Sequence, residues 1–347
     1  MNLSVIIPLY NAERDIGRCL DSLIDQGLSE NEYEIIVVND GSLDDSLKIV
    51  ISYAKKYSQI KVLDKENGGV GSARNSGIDC AKGKYIYFLD SDDFLVPNRL
   101  GYLVELSDKH ELDILTFMST PHYTKSLEGK SISKNREFDV TFGDNHLSAI
   151  VTGEEYVAKV KYRGEVWWFL INREFLLNSG IRFVEGRFLE DLPFSISLIL
   201  DAKRIAHIDL DVHRYRIAPG SILTSTEPQH FLKVIRDLQY AATAFGPIIE
   251  KLERNEASTE CIRRIKARQQ SLVFFSMVRT LKSTMPFKEV KLRLKDMKAK
   301  NAYPLTSFLG KDYNGLSYQV LVRLFNQKYV YYALFLILNP LLRFKNK

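Results

Sequence analysis

Three carboxylates, Asp90, Asp92 and Asp93, follow directly on the apolar run Tyr85-Ile86-Tyr87-Phe88-Leu89. Crowded at the end of a buried strand, such groups repel one another, and a cation or a set of donors relieves them. The competing reading is a cap for the next helix, where Asp is also favoured. Glu190-Asp191 stands ahead of another apolar run and reads either as a helix-capping pair or as a general base able to take a proton from a hydroxyl held against it. Asp40, in Val38-Asn39-Asp40-Gly41-Ser42, forms an Asx turn or accepts from a uracil imide or a ribose hydroxyl. Arg74 lies in Gly68-Gly69-Val70-Gly71-Ser72-Ala73-Arg74-Asn75-Ser76-Gly77, a glycine-rich segment that lets backbone approach a ligand and offers a guanidinium to a base or a phosphate oxygen. It lacks the G-x-G-x-x-G spacing and follows a third strand, which argues against a nicotinamide or flavin site. His213 is a structural histidine or a third metal ligand, Arg216 a possible phosphate clamp, and Trp167-Trp168 core or a platform for sugar faces.

The elements that position these residues alternate. Apolar runs at Leu3 to Leu9, Tyr33 to Val38, Ile60 to Leu63 and Tyr85 to Leu89 read as strands. Between them, Ile16, Cys19, Leu20 and Leu23, and then Leu47, Val50, Ile51 and Ala54, repeat at helical spacing, and a third helix runs to about Ala81. Such alternation predicts right-handed βαβ units in a mostly parallel sheet, with ligands at the carboxyl ends of the strands. Tyr10, Asn11, Glu13, Asp40 and Asp90 to Asp93 all fall there. A helix to about Ser107 and a strand near Asp113 to Met118 continue the pattern, and 119 to 148 is a polar excursion. Beyond it the sequence predicts a helix at Glu154 to Lys161, an apolar Val166 to Ile171, a strand at Gly180 to Phe183, a helix to about Leu200 and a strand from Arg204 to Ile217. Helices follow at 231 to 253, 257 to 283 and 287 to 299.

The composition is that of a folded globular protein, 45% hydrophobic and 26% charged over 347 residues. Three widely spaced cysteines form neither a disulfide framework nor a CxxC zinc site and fit a reducing cytoplasm. The start of the chain is a poor signal peptide, so the expectation is a protein that stays in the cytoplasm. Net charge divides unevenly: residues 231–347 carry 22 Lys and Arg against 8 Asp and Glu, and residues 1–230 carry 26 against 35. A basic half of this kind binds nucleic acid, anionic lipid or a phosphorylated substrate, or is a solvated helix face. Tyr329 to Leu342 is nearly all apolar, shorter than the ~20 residues needed to span a bilayer, and Asn339-Pro340 is expected to interrupt it. It suits the membrane interface beside Arg343, Lys345 and Lys347, or the protein's own core.

Together Ser4-Val5-Ile6-Ile7-Pro8-Leu9-Tyr10-Asn11, Val38 to Ser42, Gly71 to Gly77, Phe88 to Asp93 and Glu190-Asp191 resemble the family 2 glycosyltransferases with the GT-A fold, over about residues 3 to 225. The resemblance implies an α/β GT-A catalytic domain at 1–225, with a Rossmann-like sheet, and a basic helical region at 226–347. It implies that Pro8, Tyr10, Glu13, Asp40, Gly69, Arg74, Asp90 and Ser91 bind a nucleoside diphosphate sugar, and that Asp92, with Asp90, holds Mg²⁺ or Mn²⁺. His213 is a further candidate ligand. Asp191 would be the catalytic base, Glu190, Trp168 and Arg216 would lie on the acceptor or phosphate side, and Asp93 would cap the following helix. The tail motif is matched by Tyr215, Arg216, Ile217, Gly220, Ser221 and Ile222. The activity implied is inverting transfer from a UDP-sugar to a glycan hydroxyl in surface polysaccharide synthesis, with a lipid diphosphate-linked acceptor. The expected location is peripheral, on the anionic inner face of the cytoplasmic membrane, without a nucleic-acid partner. A sugar nucleotidyltransferase and a non-catalytic nucleotide-sugar or glycan-binding module are the alternatives.

Overall fold

The computed structural model describes residues 1–123, 147–160, 162–217, 227–305 and 315–343. They fall into two compact units, Met1–Ala218 and Pro219–Lys347.

The first unit is built on an eight-stranded sheet. Its parallel half contains β1 (Leu3–Leu9), β2 (Tyr33–Asp40), β3 (Ile60–Lys65) and β4 (Tyr85–Phe88), ordered β3-β2-β1-β4. Every residue of β1, β2 and β4 is buried, which is why these strands read as continuous apolar runs without alternation. The sheet continues through β7 (Phe169–Asn172), β6 (Ile114–Tyr123), β8 (Ile205–Ile217) and β5 (Phe94–Leu95). There β7 runs antiparallel to both β4 and β6, and β5 antiparallel to β8, so this half is mixed. Helices α1 (Ile16–Ile24), α2 (Ser46–Lys56), α3 (Val70–Cys80) and α4 (Leu100–Lys109) make the crossovers. The spacing expected of α1 is found, with Ile16, Cys19, Leu20 and Leu23 buried together.

Pro8 marks where the sheet opens. Asn2 and Ile6 accept hydrogen bonds from Tyr85 and Leu89, so even-numbered residues of β1 turn toward β4. Pro8 turns the same way, but the β4 pairing has ended at Ile6 and Phe88. A missing N–H is tolerated there, and the chain leaves the sheet at Asp90.

α5 (Gly153–Lys159), α6 (Arg173–Ser179) and α7 (Asp191–Asp201) complete the unit. The strand expected at Gly180 to Phe183 does not form. Gly180 is the left-handed cap of α6 at φ 65°, and the Phe183 N–H donates to Asn75 Oδ1 at 3.1 Å, so a side chain takes the bond a strand neighbour would need. Residues 124–146 of the polar excursion lie outside the described residues, whereas Ser119 to Tyr123 extend β6.

The second unit is helical: α8 (Pro228–Arg254), α9 (Thr259–Leu281), α10 (Phe287–Ala299), α11 (Leu316–Asn326) and α12 (Lys328–Arg343). Contrary to expectation, Asn339-Pro340 does not interrupt α12. The carbonyl that Pro340 leaves unbonded belongs to exposed Leu336, and Asn339 Nδ2 donates to the carbonyls of Leu281 and Ser283 at 3.0 and 2.8 Å. One face of α12, Tyr331, Phe335 and Asn339, is buried, while Tyr329, Leu336, Ile337 and Leu341 are more than half exposed. Among the described residues no helix is long and apolar enough to cross a membrane.

Candidate active site

The crevice forms where β1, β2 and β4 end. After β2, Asp40 is buried and fully engaged: Oδ1 accepts from Lys65 Nζ at 3.0 Å and Gly68 N at 2.9 Å, and Oδ2 from Gly69 N at 2.8 Å. It is therefore the knot of the loop that opens α3, and Gly69, at φ 88°, supplies a turn that an L side chain resists. Pro8 is buried and Tyr10 half exposed. Glu13 Oε2 accepts from Asp45 N at 3.1 Å, which ties the end of β1 to the loop after β2.

After β4, the three carboxylates divide their roles. Asp90 Oδ1 accepts from Arg74 NH2 at 2.7 Å. Asp93 is buried, accepts from Arg216 N at 2.8 Å, and sits 3.0 Å from His213 Nε2. It anchors the turn to β8 and does not cap a helix, a correction to the sequence reading. Asp92 and Ser91 are partly exposed. Burial first, and then Asp93 and Asp90, push Asp92 up to about 7. Burial and Asp90 push Asp93 up as well. Carboxylates held against their charge in this way have use for a cation.

Two expected ligands are placed otherwise. His213 is fully buried, with Nδ1 3.0 Å from Ser119 Oγ, Nε2 facing Asp93 and its ring stacked on Trp167 at 4.5 Å. Burial lowers it to about 3, so it is a neutral prop beneath Asp93 with no nitrogen turned to a ligand. Arg216 NH1 pairs with Asp15 Oδ2 at 2.7 Å. Trp168 is likewise corrected: it is fully buried and offers no face to a sugar. Gly220, Ser221 and Ile222 lie outside the described residues.

The remaining acids meet through Arg74. Its guanidinium is 4% exposed, gives NH1 to Glu190 Oε1 at 2.5 Å and NH2 to Asp90, and lies over the Phe183 ring at 5.4 Å. Burial opposes its charge, but Asp90 and Glu190 outweigh burial and hold it protonated. Asp191, the first residue of α7, keeps some exposure as a residue, yet its Oδ1 is out of solvent without a hydrogen-bond partner among the described residues. Burial, then the Glu190 charge, hold Asp191 well above the usual carboxylate range, with Arg74 opposing them. Leu189, immediately before the pair, has φ 59°, a conformation leucine rarely adopts. Sequence reasoning did not single out Asn75, Gly186 or Leu189. Gly186, four residues ahead of Glu190, was the only available signal.

Residues 4–157 match the profile described as Glycosyl transferase family 2. That stretch of the chain is similar to the family 2 glycosyl transferases. Its curated relatives include the glycosyltransferase EpsJ of Bacillus subtilis (strain 168), 35% identical over 63% of this chain and 62% of that protein. A second is the poly(ribitol-phosphate) beta-N-acetylglucosaminyltransferase TarS of Staphylococcus aureus (strain Mu50 / ATCC 700699), 37% identical over 76% of this chain and 44% of its own length. The chain thus spans less than two thirds of either. Among solved structures, S. aureus TarS 1-349 in complex with UDP-GlcNAc superposes with TM-score 0.63 at 23% identity, covering 88% of this chain and 82% of that one. The fold is accordingly GT-A, as the resemblance implied, on a sheet whose far half is mixed.

Proposed function

We propose that the chain is an inverting, metal-dependent glycosyltransferase that moves a sugar from a UDP-linked donor to a hydroxyl of a glycan acceptor carried on a lipid diphosphate. The observation that carries this reading is Asp191: a carboxylate with an orphaned, buried oxygen, held above the usual carboxylate range by burial and the Glu190 charge, beside the acids that end β4.

Asp191 takes the proton of the acceptor hydroxyl as its oxygen forms the new bond to the anomeric carbon. The bond to the diphosphate breaks on the opposite face, and its electron pair leaves with UDP. One displacement inverts the centre and needs no enzyme-bound intermediate. Asp92, with Asp90 beside it, is the candidate holder of Mg²⁺ or Mn²⁺. No cluster of three or more protein donors cages a metal among the described residues, and Asp92 would offer the carboxylate oxygen that such hard cations favour. When bound, the cation supplies positive charge against the departing diphosphate. Asp40 shapes the α3 loop against the nucleotide, and Tyr10 borders it. TarS, a poly(ribitol-phosphate) beta-N-acetylglucosaminyltransferase solved in complex with UDP-GlcNAc, supports a UDP-sugar and a surface polymer.

The same reading places the protein peripherally on the inner face of the cytoplasmic membrane. Its support is the exposed apolar face of α12 beside Lys328, in a half of the chain with 22 basic residues against 8 acidic. A panel of UDP-, GDP- and dTDP-sugars with Mn²⁺, scored for nucleotide release with and without a lipid-linked acceptor extract, tests the reaction. Pyrophosphate release from a nucleoside triphosphate and sugar phosphate would overturn it, and so would binding of every donor without transfer.

A further inference from the structure

We infer that the first turns of α3 are a clip that sets the position of Asp191, with Arg74 as its positioning residue. The inference rests on Asp191 being the base proposed above. Arg74 divides its two terminal nitrogens between acids that arrive from different parts of the chain, Asp90 at the end of β4 and Glu190 at the start of α7. The guanidinium spends NH1 and NH2 on these two acids in a side chain that is almost fully buried, so it ties the end of β4 to the start of α7.

The rest of the clip secures the segment leading to Glu190, which belongs to neither strand nor helix. Asn75 accepts from Phe183 N at 3.1 Å and donates Nδ2 to Phe183 O and Glu185 Oε1, both at 3.0 Å. Arg182 donates to the Asn75 carbonyl at 3.1 Å. Gly71 completes the fit by what it lacks: a Cβ there would come within 2.8 Å of Val184 O, 3.2 Å of Glu190 Cγ and 3.3 Å of Phe183 Cβ. Held at both ends, the segment carries Leu189 at φ 59° and delivers Asp191 as the first residue of α7. The glycine-rich stretch that reads in sequence as a ligand loop is thus, in its Gly71, Arg74 and Asn75 positions, the seat of the base.

The test uses the full chain with Arg74→Met, Glu190→Gln and the pair together. It measures kcat, donor KM, UDP affinity by calorimetry with Mn²⁺, and amide exchange of residues 183–190. Misplacing a catalytic group by an ångström costs about 100-fold, so Arg74→Met is expected to lower kcat by about that factor with UDP affinity within about twofold. The double variant is expected to be no worse than Arg74→Met alone, since both residues act through one pair. UDP affinity falling in step with kcat would make Arg74 a nucleotide contact and overturn the clip. Multiplying losses in the double variant would overturn it too. If Arg74→Met does not fold, Asn75→Ala and Gly71→Ala take its place, with the same expectations. Amide exchange reads the clip without reference to chemistry: faster exchange at 183–190 supports it, and unchanged exchange in all variants ends it. Retained turnover in Asp191→Asn would instead defeat the functional reading.

Discussion

The crevice and α12 break the same rule in opposite directions. The crevice buries charge: Arg74, Glu190 and Asp93 are each under 5% exposed. α12 exposes apolar surface: Tyr329 is 79% exposed, Ile337 64% and Leu341 62%. Ordinary folding does neither without compensation. In the crevice most of the compensation is internal, since Arg74, Glu190, Asp90 and Asp93 have partners across the loop, whereas Asp191 Oδ1 has no hydrogen-bond partner among the described residues. On α12 only the Tyr331, Phe335 and Asn339 face is answered, by α9, α10 and α11, and the opposite face stays largely exposed. A departure answered within the fold reads as architecture, and one left unanswered reads as a place for something else: a hydroxyl at Asp191, a lipid surface at α12.

The largest effect is expected where the unanswered group does chemistry. Asp191→Asn should lower kcat by about 10³-fold with UDP affinity nearly unchanged, since a general base contributes roughly 10²–10⁴-fold. Because the working form is the ionised one and burial raises Asp191, wild-type turnover should fall with acidification at a pH above the usual carboxylate range. A flat acid limb would remove Asp191 from the role. Next comes the answered charge. Arg74→Met should destabilise the fold by about 3 kcal/mol, the lower end for a broken buried pair because the Asp90 side chain is 29% exposed. Denaturant unfolding measures it, and an unchanged midpoint would show that the pairing is not structural. Asp92→Ala should weaken Mn²⁺-dependent UDP binding by roughly 10-fold or more, the scale on which metal sites respond to altered carboxylates. Titration without Mn²⁺ should then leave variant and wild type alike. The smallest effect on the fold is expected at the exposed face. Leu336→Ser with Ile337→Ser should shift stability by no more than about 0.5 kcal/mol while abolishing partition onto anionic liposomes. Partition that survives would return α12 to a purely structural role.

Much of this was legible from local pattern. Runs such as Leu3–Leu9 and Tyr33–Asp40 announce strands because both of their faces are covered, and alternation with helices places Asp40 and Asp90 at one edge. The pairings were not legible, because they join distant residues. Arg74 and Glu190 lie 116 positions apart, so in sequence Arg74 has the look of a free cation. Trp168 and Arg216 carry no local sign that one is sealed in the core and the other taken by Asp15. Gly180 to Phe183 has strand composition, but Asn75 claims its backbone. Pro340 counts as a breaker by residue type, and only its position over an exposed carbonyl near the end of α12 makes it harmless.

The two bonds from Asn339, to the last residue of α9 and to the turn beyond it, also give the helical unit a heading. A helix attached by grease alone can roll about its axis, but the Leu281 and Ser283 carbonyls admit Asn339 at one roll angle. Whatever surface takes up Tyr329, Ile337 and Leu341 therefore receives this unit as a keel and not as a float, with its azimuth decided before contact.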